Sequence, residues 1–121
     1  MISFDKNTGS DDMNIFDIPN KKLSEELTEI LHRDKNIRIE RIVSDGQFSE
    51  KGYWYDQSEN EWLVLLQGSA SLEFDDSRFP DEYVLKKGDT LFIPAHCRHR
   101  VSCTDTVPKC IWLCVFYPAD N

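Results

Sequence analysis

From residue 36 onward the chain runs in segments too short for helices and too often punctuated for a parallel sheet. Ile37-Arg38-Ile39-Glu40-Arg41-Ile42-Val43 alternates and is rich in β-branched residues, and Asp45-Gly46 follows it as a turn signal. Trp62 through Leu66 is a continuous apolar run, which suits a strand buried on both faces. Gln67-Gly68 breaks that run, and Ala70-Ser71-Leu72-Glu73-Phe74-Asp75 then alternates cleanly, so the two strands read as a hairpin. Further strands fit Glu82–Leu85, Thr90–Ile93, His99–Cys103 and Cys110–Phe116, with turns at Lys87-Gly88-Asp89 and Asp105–Lys109. Many short strands between Gly, Pro and Asp breaks indicate an all-β sandwich or barrel.

Upstream the pattern differs. Residues 1–12 are polar and non-periodic and read as a flexible N-terminus. Residues 13–35 read as a short strand, Asn14–Ile18, stopped by Pro19, and one N-terminal helix over 21–33 that packs on the barrel. Leu23, Leu27, Ile30 and Leu31 make its apolar stripe, with Glu25 and Glu26 early and His32 and Arg33 late, as a helix dipole prefers. Residues 36–118 are then the barrel itself, and 121 residues suffice for one such domain.

Charge narrows the partners. Fourteen Lys and Arg stand against 22 Asp and Glu, a formal charge of −8, so polyphosphates meet net repulsion and nucleic acid is not expected. No apolar run approaches the ~20 residues of a membrane span, and Met1-Ile2-Ser3-Phe4-Asp5 does not read as a signal peptide. The expectation is a cytoplasmic protein with a small-molecule ligand and no membrane partner. Cys97, Cys103, Cys110 and Cys114 form no Cys-x-x-Cys pair, so they read as thiols packed like small apolar residues. If Asp105–Lys109 turns a hairpin, Cys103 and Cys110 come within the ~4.5–5.5 Å that a disulfide can span.

Two spaced patterns carry the chemistry. Glu61 precedes Gly68 by a six-residue spacer, and Gly88, Pro94 and His99 follow in order. Together with the surrounding strands they resemble the cupin family, whose fold is a double-stranded β-helix or jelly-roll barrel. The resemblance covers roughly residues 37–117, with Glu61 at the family's glutamate position and His99 at the histidine of its second motif. The two histidines of the first motif fall on Tyr55 and Gln57, its opening glycine on Ser49, and the second motif's internal glycine and final asparagine on His96 and Cys103. The resemblance thus implies the fold and two of the usual four metal-ligand positions. It also implies pairing as a homodimer.

Strand alternation puts Glu61 on one face with Leu63 and Leu65, and His99 on one face with Val101 and Cys103, both pointing inward. With Gln57 they would offer one nitrogen and two oxygens, a set that suits divalent Mn, Fe or Zn held weakly. The alternative is a metal-free, hydrogen-bonded Glu61–His99 pair. Arg41 faces inward if Ile37 and Ile39 do, as an anchor for a carboxylate or phosphate; otherwise it pairs with one of the many acidic side chains. Tyr55 and His96 are ligand-contact or acid–base candidates, and Trp54 is a candidate lid or mouth wall. The expected function is binding of a small polar or anionic metabolite in the barrel, with a divalent metal optional. The alternative is a metal-dependent oxygenase, isomerase or decarboxylase, as the resemblance allows.

Overall fold

The computed structural model describes residues 13–120, so the polar stretch 1–12 lies outside it. Eight strands follow in chain order: β1 (Leu27–Asp34), β2 (Ile37–Ser44), β3 (Glu59–Gln67), β4 (Ser69–Phe74), β5 (Glu82–Lys86), β6 (Thr90–Ile93), β7 (His99–Thr104) and β8 (Cys110–Pro118). They form two antiparallel sheets, one ordered β1-β2-β8-β3-β6 and the other β5-β4-β7. Leu63, Leu65, Leu72, Phe74, Leu85 and Ile93 fill the space between the sheets, each at most 4% exposed. Burying such side chains stabilises by roughly 1.5–3 kcal/mol each. This is the jelly-roll layering expected from the short alternating runs.

The N-terminal helix is absent: the described residues contain no helix, and Leu27–Asp34 is a strand. Turn residues Lys35 and Asn36 fold β1 straight back on β2, in a register from Leu27↔Val43 to Asp34↔Ile37 with one irregularity between Ile30 and His32. The leucine and isoleucine spacing follows the helical period and leaves Ile30 on the exposed face of the strand, so pairing with a neighbouring strand overrides a weak helical preference. Asn14–Ile18 is a turn, not a strand; Asp17 N–H donates to the Asn14 carbonyl at 2.9 Å and Phe16 N–H to Asn14 Oδ1 at 2.8 Å. Among the described residues no helix is long and apolar enough to cross a membrane.

β3 and β4 do not pair as a hairpin. β3 lies between β8 and β6, whereas β4 lies between β5 and β7, so the turn at Gly68 carries the chain from one sheet to the other. Gly68 takes φ +87°, and a Cβ there would meet Cys110 Sγ at 2.8 Å and Cys110 Cα at 3.0 Å. Both the conformation and the space require glycine. Gly68→Ala is therefore expected to destabilise the fold by about 2–4 kcal/mol, read as a lower urea midpoint with an unchanged m-value.

β3 is also buried on one face only: Leu63 and Leu65 point inward, while Trp62 on the outer face is 38% exposed. β7 and β8 belong to different sheets, so Cys103 and Cys110 are not hairpin partners, and all four cysteines are free thiols.

Candidate functional site

A cavity of about 230 Å³ opens between the inner faces of the sheets. Glu61 and Leu63 of β3, His99 and Val101 of β7, and Trp112 and Cys114 of β8 supply part of its wall. Tyr55 and Gln57, from the loop before β3, line it as well, and Glu40 and Ile42 of β2 close another side with Glu26 and Thr28. Alternation explains Glu61 and Leu63 on β3 and His99 and Val101 on β7, but Cys103, expected on the same face, is exposed, because the β4–β7 register shifts between Cys103 and Val101.

His99 is 5% exposed, and its Nδ1 lies 2.8 Å from the Cys97 carbonyl oxygen. A carbonyl only accepts, so Nδ1 carries the proton and Nε2 keeps a lone pair. The Tyr55 ring stacks on the imidazole at 5.5 Å between centroids. Backbone bonds hold the two together: Tyr55 N–H donates to the His99 carbonyl at 2.7 Å and His99 N–H to the Tyr55 carbonyl at 3.2 Å. Burial pushes the Tyr55 phenol up, so it stays a hydroxyl donor at neutral pH.

Glu61 is 7% exposed and accepts a hydrogen bond from Gln57 Nε2 at 3.1 Å. Its carboxyl is raised above the ordinary range chiefly by burial, against the opposing pull of the Gln57 bond, nearby His99 and the Cys114 thiol. The Cys114 thiol is pushed well up, first by burial and then by the Glu61 carboxylate beside it. It is an unreactive wall residue in that state.

The remaining acids are held by other partners. Glu26 accepts from Ser44 Oγ at 2.7 Å, and Ser44 Oγ in turn accepts from Trp112 Nε1 at 3.0 Å. Glu40 accepts from Arg38 Nε at 2.6 Å, while the other guanidinium nitrogens of Arg38 grip Glu59 at 3.1 and 3.0 Å.

Three sequence candidates sit elsewhere. Arg41 is buried at 3% exposure but on the opposite face of β2 from the cavity-lining Glu40 and Ile42. It pairs with Glu29 and donates to the carbonyls of Ile15 and Asp17, so it anchors the N-terminal segment and not a ligand. The face assignment failed because Ile37 and Ile39 point outward, leaving the alternate residues inside. His96 is an exposed rim residue at φ +60°, paired with Asp56 at 2.7 Å, and does not line the cavity. Trp54 lies beneath the Arg98 guanidinium, 5.6 Å from its ring centre, and borders a separate open groove with Phe48 and Arg100. Conversely, sequence reasoning missed Glu26, Glu40, Trp112 and Cys114. The alternation of Trp112, Cys114 and Phe116 was a usable signal for β8, whereas Glu26 lies outside any strand pattern.

The donors present do not fit a resident divalent ion. Among the described residues no three His, Cys, Asp or Glu side chains come together as ligands. Glu61 and His99 are left with Gln57, whose amide nitrogen faces the carboxylate, and an amide nitrogen is not a ligand.

The sequence profile of the cupin domain matches residues 41–116. The solved structure of a candidate mannose-6-phosphate isomerase from Ralstonia eutropha JMP134 is 39% identical, with a TM-score of 0.80 over 88% of this chain and 96% of that one. A cupin superfamily protein from Desulfitobacterium hafniense DCB-2 is 20% identical, with a TM-score of 0.64 over 85% of this chain and 84% of that one. An RmlC-like cupin with a double-stranded β-helix fold from Methanocaldococcus jannaschii is 17% identical, with a TM-score of 0.62 over 82% and 84%. The last two likenesses concern the fold alone. No curated protein matches the chain in sequence.

Proposed function

The chain belongs to the cupin family, and from that premise we propose that it is a small-molecule-binding barrel whose ligand enters the Glu61–His99 cavity without a resident metal. One observation carries the reading. His99 is almost wholly buried and lines the cavity, yet among the described residues its Nε2 has no hydrogen-bond partner. That nitrogen is open to the cavity, so it is an acceptor free to take a donor from whatever fills the space. The cavity volume, about 230 Å³, falls below the ~300–1,000 Å³ of drug-sized pockets, so the ligand is a small metabolite.

The name of the Ralstonia relative points to a sugar phosphate, but the chemistry of this cavity argues against one. A phosphate monoester carries about −1.5 to −2 charges at neutral pH. Three glutamates line the cavity and no lysine or arginine does. The anionic half of the expected ligand class therefore loses its support, since Arg41 is committed to the N-terminal segment.

The test is ligand-observed NMR on a mixture of uncharged and cationic small metabolites with wild type, His99→Gln and Glu61→Ala. Binding to the wild type that both variants lose is the expected result; binding that neither substitution disturbs would sink the assignment. Elemental analysis of untagged protein checks the metal-free part, where stoichiometric Mn, Fe or Zn removable by chelation would overturn it. A second reading, catalysis, is favoured by Glu61 and His99 lining one cavity, a carboxyl raised by burial beside an imidazole oriented by the Cys97 carbonyl, a pair able to move a proton on a bound ligand. Deuterium incorporation from solvent into a bound ligand, lost in Glu61→Gln, would support it.

The outer face of the larger sheet serves a second copy of the chain in this reading. Trp62 pairs with Phe92 and Val115 across the strands, and Val64 with Leu113, giving an uncharged apolar strip in which Trp62 and Phe92 are 38% and 43% exposed. On a chain of charge −8, such a strip is where two copies can meet with least repulsion. Light scattering should find a dimer that Trp62→Glu converts to monomer. A monomeric wild type would remove the proposal.

A further inference from the structure

Most of the fixed polar groups in and behind the cavity wall are acceptors or are already engaged. The Gln57 amide donates to Glu61, the Ser44 hydroxyl donates to Glu26, and the Trp112 indole N–H is taken up by Ser44. The imidazole N–H of His99 is given to the Cys97 carbonyl, which turns the lone pair of Nε2 to the cavity it lines. What remains facing the space are the carboxyl oxygens of Glu26, Glu40 and Glu61 and that one imidazole nitrogen. The Tyr55 phenol, the Thr28 hydroxyl and the second N–H of the Gln57 amide are the donors that remain among the lining residues.

The charge count points the same way. Glu40 has Arg38 for company, but Arg38 is shared with Glu59, and the other two acids meet only neutral donors. Glu26 and Glu40 precede residues 41–116, the span matched by the cupin profile, so this acidity is supplied by β2 and by the segment just before β1. Of the three, Glu61 is buried, Glu40 is half-buried beside Arg38 and Glu26 is exposed, so the cost of an uncompensated charge falls chiefly on Glu61. An incoming ammonium or guanidinium relieves that cost while donating several hydrogen bonds at once.

We infer that the ligand is a small hydrogen-bond-donating cation, an amine or amidine-type compound, whose charged head sits among Glu26, Glu40 and Glu61 and donates to His99 Nε2. This rests on the small-molecule reading of the same cavity. The flat rings of Tyr55 and Trp112 in the wall favour a cationic head as well, because the faces of aromatic rings are electron-rich.

Matched probes of one skeleton test it. Glucosamine, glucose and glucuronate, and in parallel cyclohexylamine, cyclohexanol and cyclohexanecarboxylate, are titrated against the wild-type chain and followed by the His99 and Tyr55 NMR signals. The expected order is cation over neutral by about ten-fold or more, with the anions silent. Glu26→Gln should erase most of that preference while the circular dichroism spectrum stays unchanged. Neutral or anionic probes that shift the same signals as strongly as the cations would overturn the charge assignment and leave the binding barrel standing. If no probe of any charge moves those signals, the small-molecule reading itself falls, and this inference with it.

Discussion

Glu61→Gln is expected to raise the melting temperature at pH 7–8 and, in the same protein, to weaken ligand binding. Burial is the largest influence on the Glu61 carboxyl and raises it above the ordinary range. The folded state therefore keeps a proton at a pH where the unfolded chain has released it. Stability from this group is present below the ordinary glutamate range and is lost as pH rises through the raised folded value. Glutamine stands in for the neutral form, and its carbonyl can still accept from Gln57 Nε2, which bonds Glu61 at 3.1 Å. The substitution removes the ionisation penalty without opening a hole. A relief of about 1 kcal/mol would raise Tm by roughly 4–8 °C in a domain near this size.

The comparison needs both ends of the pH scale. Near pH 4, where the carboxyl is protonated in either state, wild type and Glu61→Gln should melt together; their curves should separate toward neutrality. Calorimetry across pH 4–8 reads this directly. A variant that is less stable than wild type at pH 8 would mean that the carboxylate is held by something more favourable than Gln57 and His99. Stability gained while binding is lost is the usual mark of a group kept for function.

Much of this architecture is legible from residues alone, because alternation is a local property. The inner faces of β3 and β7 follow from Leu63 and Leu65 beside Glu61 and from Val101 beside His99, and the structure places both site residues in the cavity. Strand partnership is not local. Gln67-Gly68 looks like a hairpin turn in sequence, yet whether such a turn returns to the same sheet depends on strands forty residues away. For β1 the spacing of Leu27, Ile30 and Leu31 follows the helical period, and it is pairing with β2 that makes the segment a strand. The face of β2 was misread for a related reason: Ile37 and Ile39 are apolar but point outward, so apolar character alone chose the wrong parity. Glu26 could not be found at all, since its place at the cavity follows from how the N-terminal segment is tied down.

That tie is Arg41, and Arg41→Ala should cost stability before it costs anything else. The side chain is 4% exposed, pairs with Glu29, and donates to the carbonyls of Ile15 at 3.1 Å and Asp17 at 2.9 Å. Truncation leaves a cavity and strips two backbone acceptors of their donor, against a Glu29 that is 35% exposed and can be rehydrated. Breaking a fully buried pair costs about 3–5 kcal/mol, and the exposure of Glu29 brings the expectation to about 2–4 kcal/mol. Limited proteolysis should then cut within residues 13–26 faster than elsewhere, because the second tie, Leu23 N–H to Asp45 at 2.8 Å, is weaker. Arg41→Lys should recover only part of the loss, since one ammonium cannot reproduce the planar fork that reaches a carboxylate and two carbonyls. Binding would weaken as well, through displacement of Glu26 and Thr28 from the cavity wall, but only alongside the loss of stability. A ligand anchor behaves differently: Arg41→Ala would then abolish binding in a chain as stable and as protease-resistant as wild type, and that pattern would return Arg41 to the binding site.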